Sequence, residues 1–192
     1  MDQVVLGLGT NLGNRQENLD RALTALDKLP KTRVLQVSSI YETKPFDVIS
    51  EQPDYLNCCA LVETGLSPHA LLGACLGIEA GMGRQRLEYH GSRIIDIDML
   101  LIQGYQSNED ELKLPHPEIR KRAFVLAPLC DLFPDQNVWG FDVSEAFSKI
   151  NWEEIKKKSK KELTKGAGFG IIVKRLAEQG LSGTVPEGAK GP

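Results

Sequence analysis

Apolar residues recur along this chain with two different periods, and the switches between them mark the elements. Val4-Val5-Leu6-Gly7-Leu8 is a continuous apolar run and predicts a buried strand that breaks at the turn Gly9-Thr10-Asn11-Leu12-Gly13. Asn14 stands three residues before Glu17, the spacing of a capping box. Leu19, Ala22, Leu23, Leu26 and Leu29 then share one helical face, and Pro30 ends it. Residues 33–40 are rich in β-branched side chains and read as a strand, residues 43–54 as a long proline-bearing loop, and residues 55–64 as a further strand. Ser67-Pro68 supplies a cap and a first-turn proline for a second helix with the stripe Leu71, Cys75, Ile78 and Met82, closed by Gly81 and Gly83. Residues 93–102 give the strongest strand pattern, expected in the centre of a sheet because both of its faces are apolar past Asp98.

The order βαββαβ up to residue 102 is the ferredoxin-like, split βαβ arrangement: an α+β fold with one sheet and two helices on one face. Beyond it a hairpin or loop is expected over 104–113, short helical pieces over 118–130 and a helix over 143–150. The pattern alone leaves function open.

Composition adds a boundary. The 192 residues are 41% hydrophobic and 26% charged, with a net charge of −3, as in an ordinary globular chain. The charge is −7 over residues 1–150 and +4 over residues 151–192, where Lys156-Lys157-Lys158-Ser159-Lys160-Lys161 precedes a glycine-rich end. We therefore read residues 1–150 as the main domain and 151–192 as a basic extension, partly helical or disordered. The acidic body argues against nucleic-acid binding, and the basic run reads as a solvated tail. No apolar run reaches the ~18 residues of a membrane span. Met1-Asp2-Gln3 offers no basic region leading into an apolar stretch, so no secretory signal is expected. Cys58, Cys59, Cys75 and Cys130 lack C-x-x-C spacing, so reduced thiols in a cytoplasmic protein are expected.

Candidate chemistry gathers around Asp96-Ile97-Asp98. Strand side chains alternate, so both carboxylates take one face and Ile95, Ile97, Met99 and Leu101 the other. Two adjacent acids on an otherwise buried strand repel one another and are costly to desolvate, which favours a hard divalent cation such as Mg²⁺; a strand end reaching solvent is the other reading. Arg84, Arg86 and Arg93 lie just upstream, and guanidinium groups suit phosphate; taken alone, the segment reads as a solvated loop. Glu79, at the edge of a helical stripe, is either a salt-bridge partner or a group that sets the arginines' geometry. Tyr55 and Asn57 share a strand face, as a flat heterocycle requires, or as a cross-strand pair would. His116 between two prolines either faces a phosphate or is structural.

In order along residues 6–129, these pieces resemble the 6-hydroxymethyl-7,8-dihydropterin pyrophosphokinase family of folate biosynthesis. The resemblance rests on Gly9-Thr10-Asn11-Leu12-Gly13, Ser38-Ser39-Ile40-Tyr41-Glu42-Thr43-Lys44-Pro45, Gln52-Pro53-Asp54-Tyr55-Leu56-Asn57, Ile78-Glu79 and Gly83-Arg84-Gln85-Arg86. It continues through Gly91-Ser92-Arg93-Ile94-Ile95-Asp96-Ile97-Asp98, Leu114-Pro115-His116-Pro117 and Arg122-Ala123-Phe124-Val125-Leu126. It implies a ferredoxin-like α/β/α sandwich and an ATP-dependent diphosphotransferase that passes the pyrophosphoryl group of ATP to the pterin's hydroxymethyl oxygen and releases AMP. By resemblance, Asp96 and Asp98 hold two Mg²⁺ ions, and Arg84 and Arg93 are catalytic. The pterin is bound by Thr43, Pro45, Phe46, Tyr55, Asn57 and Phe124. ATP is bound by Glu79, Arg84, Arg86, Arg93, Met99, Lys113, His116 and Arg122. The loops 44–53 and 84–92 are expected to act as lids, Tyr89 and His90 stand where relatives often carry a basic residue and tryptophan, and a monomer is expected. Another Mg²⁺-dependent nucleotidyltransferase, or a non-enzymatic ligand-sensing module, are the alternatives the residues alone leave.

Overall fold

The computed structural model describes residues 1–45, 51–84 and 91–158. Strand β1 (Asp2–Thr10) leads into helix α1 (Arg15–Asp27), then β2 (Thr32–Val37), β3 (Tyr41–Thr43), β4 (Tyr55–Thr64), α2 (Pro68–Gly81) and β5 (Asp96–Ile102). Two small hairpins follow, β6 (Ser107–Asn108) with β7 (Lys113–Leu114) and β8 (Asn137–Val138) with β9 (Phe141–Asp142). Between and after them lie α3 (Ala123–Leu132), α4 (Ser144–Ser148) and β10 (Ile155–Lys157). The helix starts follow the sequence signals: the Asn14 side chain accepts from the Glu17 N–H, and the Ser67 side chain from the Ala70 N–H.

The main sheet is six-stranded and antiparallel, ordered β10-β3-β4-β1-β5, with β2 also paired to β4. Removing β3 and β10 leaves β5-β1-β4-β2, the split βαβ order expected from the sequence. Alternation along the strands sorts two cores. Val4, Leu6, Leu8, Ile97 and Met99 pack with Leu19, Leu23, Leu26, Leu71 and Cys75 beneath α1 and α2. Val5, Cys59, Leu100 and Leu101 pack with Val125, Leu126 and Leu129 of α3 on the other face. The result is the α/β/α sandwich.

Three local expectations change. Strand β5 is the last in the sheet and not central. It is apolar on both sides because α2 covers one face and α3 the other, while the His116 N–H bonds the Leu100 carbonyl along its free edge. It begins at Asp96 rather than at residue 93. A register shift between Val5 and Leu6 also moves Leu101 into the α3 core instead of leaving it on the face of Ile97. Past the change of charge near residue 151, β10 pairs with β3 and is part of the sheet.

Leu23 is fully buried between α1 and the sheet. Leu23→Ala is expected to cost about 2–5 kcal/mol in urea unfolding, as for other large-to-small changes in a close-packed interior; a loss below about 1 kcal/mol contradicts this packing.

Candidate active site

The open end of the sheet, on the α3 side, holds a cavity of about 540 Å³. Gly7 and Gly9 of β1 leave room for it, flanked by Thr43, Tyr55 and Asn57 on one side and Asp96, Asp98 and Leu100 on the other. Arg93, His116, Arg122 and Phe124 close it. Gly9 is required by crowding: a Cβ there would lie 2.9 Å from Asn57 Oδ1. Asn57 is buried, and its Nδ2 donates to Thr43 Oγ1 at 2.9 Å. Its carbonyl oxygen is therefore the atom left to accept from a ligand.

As the strand period requires, Asp96 and Asp98 open to the same cavity. Their surroundings differ. Asp96 Oδ1 pairs with Arg84 Nη1 at 2.6 Å, and Oδ2 with Arg93 Nη1 at 2.6 Å. Arg84 Nη1 also meets Glu79 Oε1 at 2.5 Å, and that oxygen accepts from the Ile97 N–H at 2.7 Å. Glu79 is buried, which raises its pKa against the pull of the Ile97 N–H and Arg84. It therefore sits behind β5 as an anchor for Arg84 and for the backbone between the two aspartates. Asp98 has a weaker partner, Arg122 Nη1 at 3.6 Å. Burial, and then the charge of Asp96, pushes the Asp98 carboxyl up to about 6.

The remaining cations line the same wall. Burial, and then Arg122, lowers the His116 pKa, while His116 Nδ1 accepts from the Glu118 N–H at 3.2 Å. Neutral His116 therefore carries its proton on Nε2, a donor. The Arg122 guanidinium lies 5.8 Å over the Phe124 ring. Tyr55 is half-buried, burial raises its pKa, and its hydroxyl donates to Gln52 Oε1 at 3.4 Å.

Several residues singled out in the sequence lie elsewhere. Met99 is in the core beneath α1 and α2, on the face opposite Asp98. Lys113 is exposed on β7 and faces Asp110 at 3.8 Å. Pro45 is half-buried just past β3. Phe46, Arg86, Tyr89 and His90, and with them the middles of both expected lids, lie outside the described residues.

The structure also adds residues. Asn11, buried in the turn after β1, donates through Nδ2 to Gln52 Oε1 (3.1 Å), the Pro53 carbonyl (3.3 Å) and Ser92 Oγ (3.2 Å). Its Oδ1 accepts from the Arg93 N–H at 2.8 Å, and its own N–H donates to the Arg93 carbonyl at 3.1 Å. One amide thus ties the loop before Tyr55 to the loop carrying Arg93. A polar residue in a glycine-flanked turn was visible in the sequence, but its partners 41 and 81 residues away were not.

A family model described as 7,8-dihydro-6-hydroxymethylpterin-pyrophosphokinase (HPPK) matches residues 5–134. The chain belongs to the HPPK family. Among its relatives, a 2-amino-4-hydroxy-6-hydroxymethyldihydropteridine pyrophosphokinase of Methylorubrum extorquens is 41% identical over 151 residues, covering 79% of this chain and 95% of the relative. The protein of the same name from Pseudomonas aeruginosa is 39% identical over 135 residues, 70% of this chain and 83% of the relative. A crystal structure of Plasmodium falciparum HPPK-DHPS with pterin and p-hydroxybenzoate superposes with a TM-score of 0.62 at 18% identity, over 81% of this chain and 46% of that one. At that identity the likeness concerns the fold, and this HPPK chain spans about half of the longer protein. No helix among the described residues is long and apolar enough to cross a membrane. Cys58, Cys59, Cys75 and Cys130 are free and buried, with Cys58, Cys75 and Cys130 pushed up to about 12 chiefly by burial.

The Asp98 shift makes a pH prediction. An unfolded aspartate releases its proton near pH 4, whereas folded Asp98 holds it to about pH 6. The folded state thus binds the extra proton between those values, and the ionised carboxylate opposes folding above them. Asp98→Asn is expected to raise the thermal midpoint of the protein in EDTA at pH 8, with the gain shrinking towards pH 5. An equal gain at both pH values, or a loss at pH 8, contradicts the assignment.

Proposed function

We propose that this cavity is where the chain transfers the pyrophosphoryl group of ATP to the hydroxymethyl oxygen of 6-hydroxymethyl-7,8-dihydropterin and releases AMP. The observation that carries the reading is the pair Asp96 and Asp98, opening to the same space as Tyr55, Asn57 and Phe124 and ringed by Arg84, Arg93, His116 and Arg122. Cytoplasmic folate biosynthesis is the setting this reading implies, with the chain acting as a monomer.

The donor set fits Mg²⁺. Two hard carboxylates share a face, and Asp98 carries charge that Arg122 at 3.6 Å only partly offsets. In this reading Asp96 and Asp98 hold two ions. Mg²⁺, when bound, supplies the charge that draws phosphate oxygens to the carboxylates and makes an alcohol easier to deprotonate. Phosphoryl-type transfer is mainly positioning and charge stabilisation, so the chain's task is to hold the reactants in line. Arg84 and Arg93 neutralise Asp96 in the ligand-free chain. With Mg²⁺ held by the carboxylates, both guanidinium groups would be available to phosphate oxygens. His116 Nε2 and Arg122 add donors along the same wall. Tyr55 and Phe124 offer two ring faces to the pterin, and Asn57 Oδ1 accepts from its amino edge. Glu79 keeps Arg84 in place, while Thr43 fixes the Asn57 amide.

Incubation with Mg²⁺, ATP and the pterin tests the reaction. AMP should appear in step with a pterin diphosphate ester; release of pyrophosphate with a nucleotidylated product overturns it. Asp96→Ala and Asp98→Ala should each lower turnover by about 10²–10³-fold or more, the scale of a lost electrostatic contact in a site, while the circular dichroism spectrum is kept. Near-normal turnover in either variant overturns the carboxylate assignment. Tyr55→Ala and Phe124→Ala should each weaken pterin binding by about 1–3 kcal/mol, the range for stacking on aromatic side chains, and leave ATP binding without pterin unchanged. A parallel loss for both ligands by calorimetry would mean the rings act only in packing.

A further inference from the structure

The last described residues touch both walls of the pterin slot, although they lie beyond residues 5–134, the stretch matched by the family model. Strand β3 has only three residues, and it carries Thr43, which holds Asn57. On one side it pairs with β4, placing Tyr41 opposite Asn57 and Thr43 opposite Tyr55. On the other side it pairs with β10, placing Ile155 opposite Thr43. A three-residue edge strand bonded on one side is prone to fray; β10 makes it an inner strand. The pairing runs one step further, where the Lys158 N–H bonds the Ile40 carbonyl at 2.9 Å.

The same segment reaches α3. Ile155 is buried with Tyr41 and Ala127, against Ala123, and these two alanines flank Phe124 on α3. Lys157 Nζ pairs with Asp131 Oδ1 of α3 at 3.0 Å and lies 5.6 Å over the Tyr41 ring. Asp131 Oδ2 in turn accepts from the Ser39 N–H at 2.9 Å. The strand carrying Thr43 and the helix carrying Phe124 are thus bridged by residues 155–157.

Charge completes the connection. Glu42, between Tyr41 and Thr43, is gripped from two sides: Lys158 Nζ meets Oε2 at 2.7 Å, and Arg15 Nη2 meets Oε1 at 2.9 Å. Although burial pushes the Glu42 pKa up, hydrogen bonds from Lys158 and Arg15 hold it below the usual carboxylate range. Arg15 also donates through Nη1 to the Asp54 carbonyl at 2.7 Å. Glu42 and Asp54 stand on either side of the loop between β3 and β4, so one guanidinium clasps both of its feet. Only 16% of the Glu42 side chain is exposed, so these pairs are better shielded than ordinary surface ion pairs.

We propose that residues 155–158 form a strap that holds the two walls of the pterin slot in register, with Lys158, acting through Glu42 and Arg15, as its positioning residue. The strap rests on the assignment of the slot to the pterin. It touches neither the carboxylate pair nor the arginines on Asp96, so it acts on one substrate and not the other.

Full-length Lys158→Gln, Glu42→Gln and Lys158→Arg test it, with Lys149→Gln, whose exposed partner is Glu145, as control. KM for the pterin, and its Kd in the presence of α,β-methylene-ATP, should rise about fivefold in Lys158→Gln and about tenfold in Glu42→Gln, which loses both ion pairs, as expected for part-buried pairs of this kind. KM for ATP should stay within twofold, and Lys158→Arg should bind pterin like the parent. Unchanged pterin constants in both neutral variants overturn the strap, as does an equal loss for ATP or a failure of Lys158→Arg to restore binding. A parent protein that binds ATP but no pterin overturns the slot assignment and the strap with it; a parent that binds both while the variants match it overturns the strap alone.

Discussion

Everything at the open end of the sheet depends on how Asp96 is neutralised. It is the first residue of β5, and each of its two oxygens is held by a different arginine. One arginine comes from the end of α2 and is anchored by buried Glu79; the other comes from the loop leading into β5 and is anchored by Asn11. Without those guanidinium groups, two aspartates two residues apart would face one cavity with little to offset their repulsion. With them, acids and bases stand paired at one cavity; in the proposed reaction, Mg²⁺ held at Asp96 and Asp98 would free both guanidinium groups for phosphate oxygens. In that reading, the ion pairs that offset the repulsion of the two acids would also keep Arg84 and Arg93 at hand for a triphosphate.

The fold makes this cluster possible by leaving space. Side chains on one face of β1 build the core under α1 and α2, while Gly7 and Gly9 on the other face carry none. The void they leave lies between the carboxylates of β5 and the Tyr55–Asn57 face of β4. Helix α3 covers the rest of that face and brings Phe124 to its rim. Sheet, glycines and helix thus place two aromatic side chains beside a charged wall in one cavity of about 540 Å³, the arrangement that the proposed transfer needs.

Local pattern made much of this legible. Both capped helices, the split βαβ order and the shared face of Asp96 and Asp98 follow from short-range periodicity and turn chemistry, which one strand or helix contains. The expectations that changed depend on distant contacts. β5 was expected at the centre because its residues are apolar on both sides, yet an edge strand covered by α2, α3 and the His116 segment gives the same pattern. Glu79 reads from sequence as either a salt-bridge partner or an organiser of arginines; it pairs with Arg84 while the Ile97 N–H fixes the same oxygen, so the two readings coincide. Asn11 and Arg15 carried no periodic signal, since their partners come from loops that only the tertiary fold brings near. The strap was hidden for a further reason: its lysines read as a solvated run, and only the pairing of β10 with β3 brings two of them to the buried Asp131 and the part-buried Glu42.

Anomalous diffraction tests the central claim most directly, using crystals grown with Mn²⁺, α,β-methylene-ATP and the pterin. The account predicts manganese peaks at the Asp96 and Asp98 carboxylates, with Arg84 and Arg93 turned from Asp96 to the phosphates and the pterin ring between Tyr55 and Phe124. Nucleotide bound with its manganese away from both aspartates, and both arginines still closed on Asp96, would contradict it.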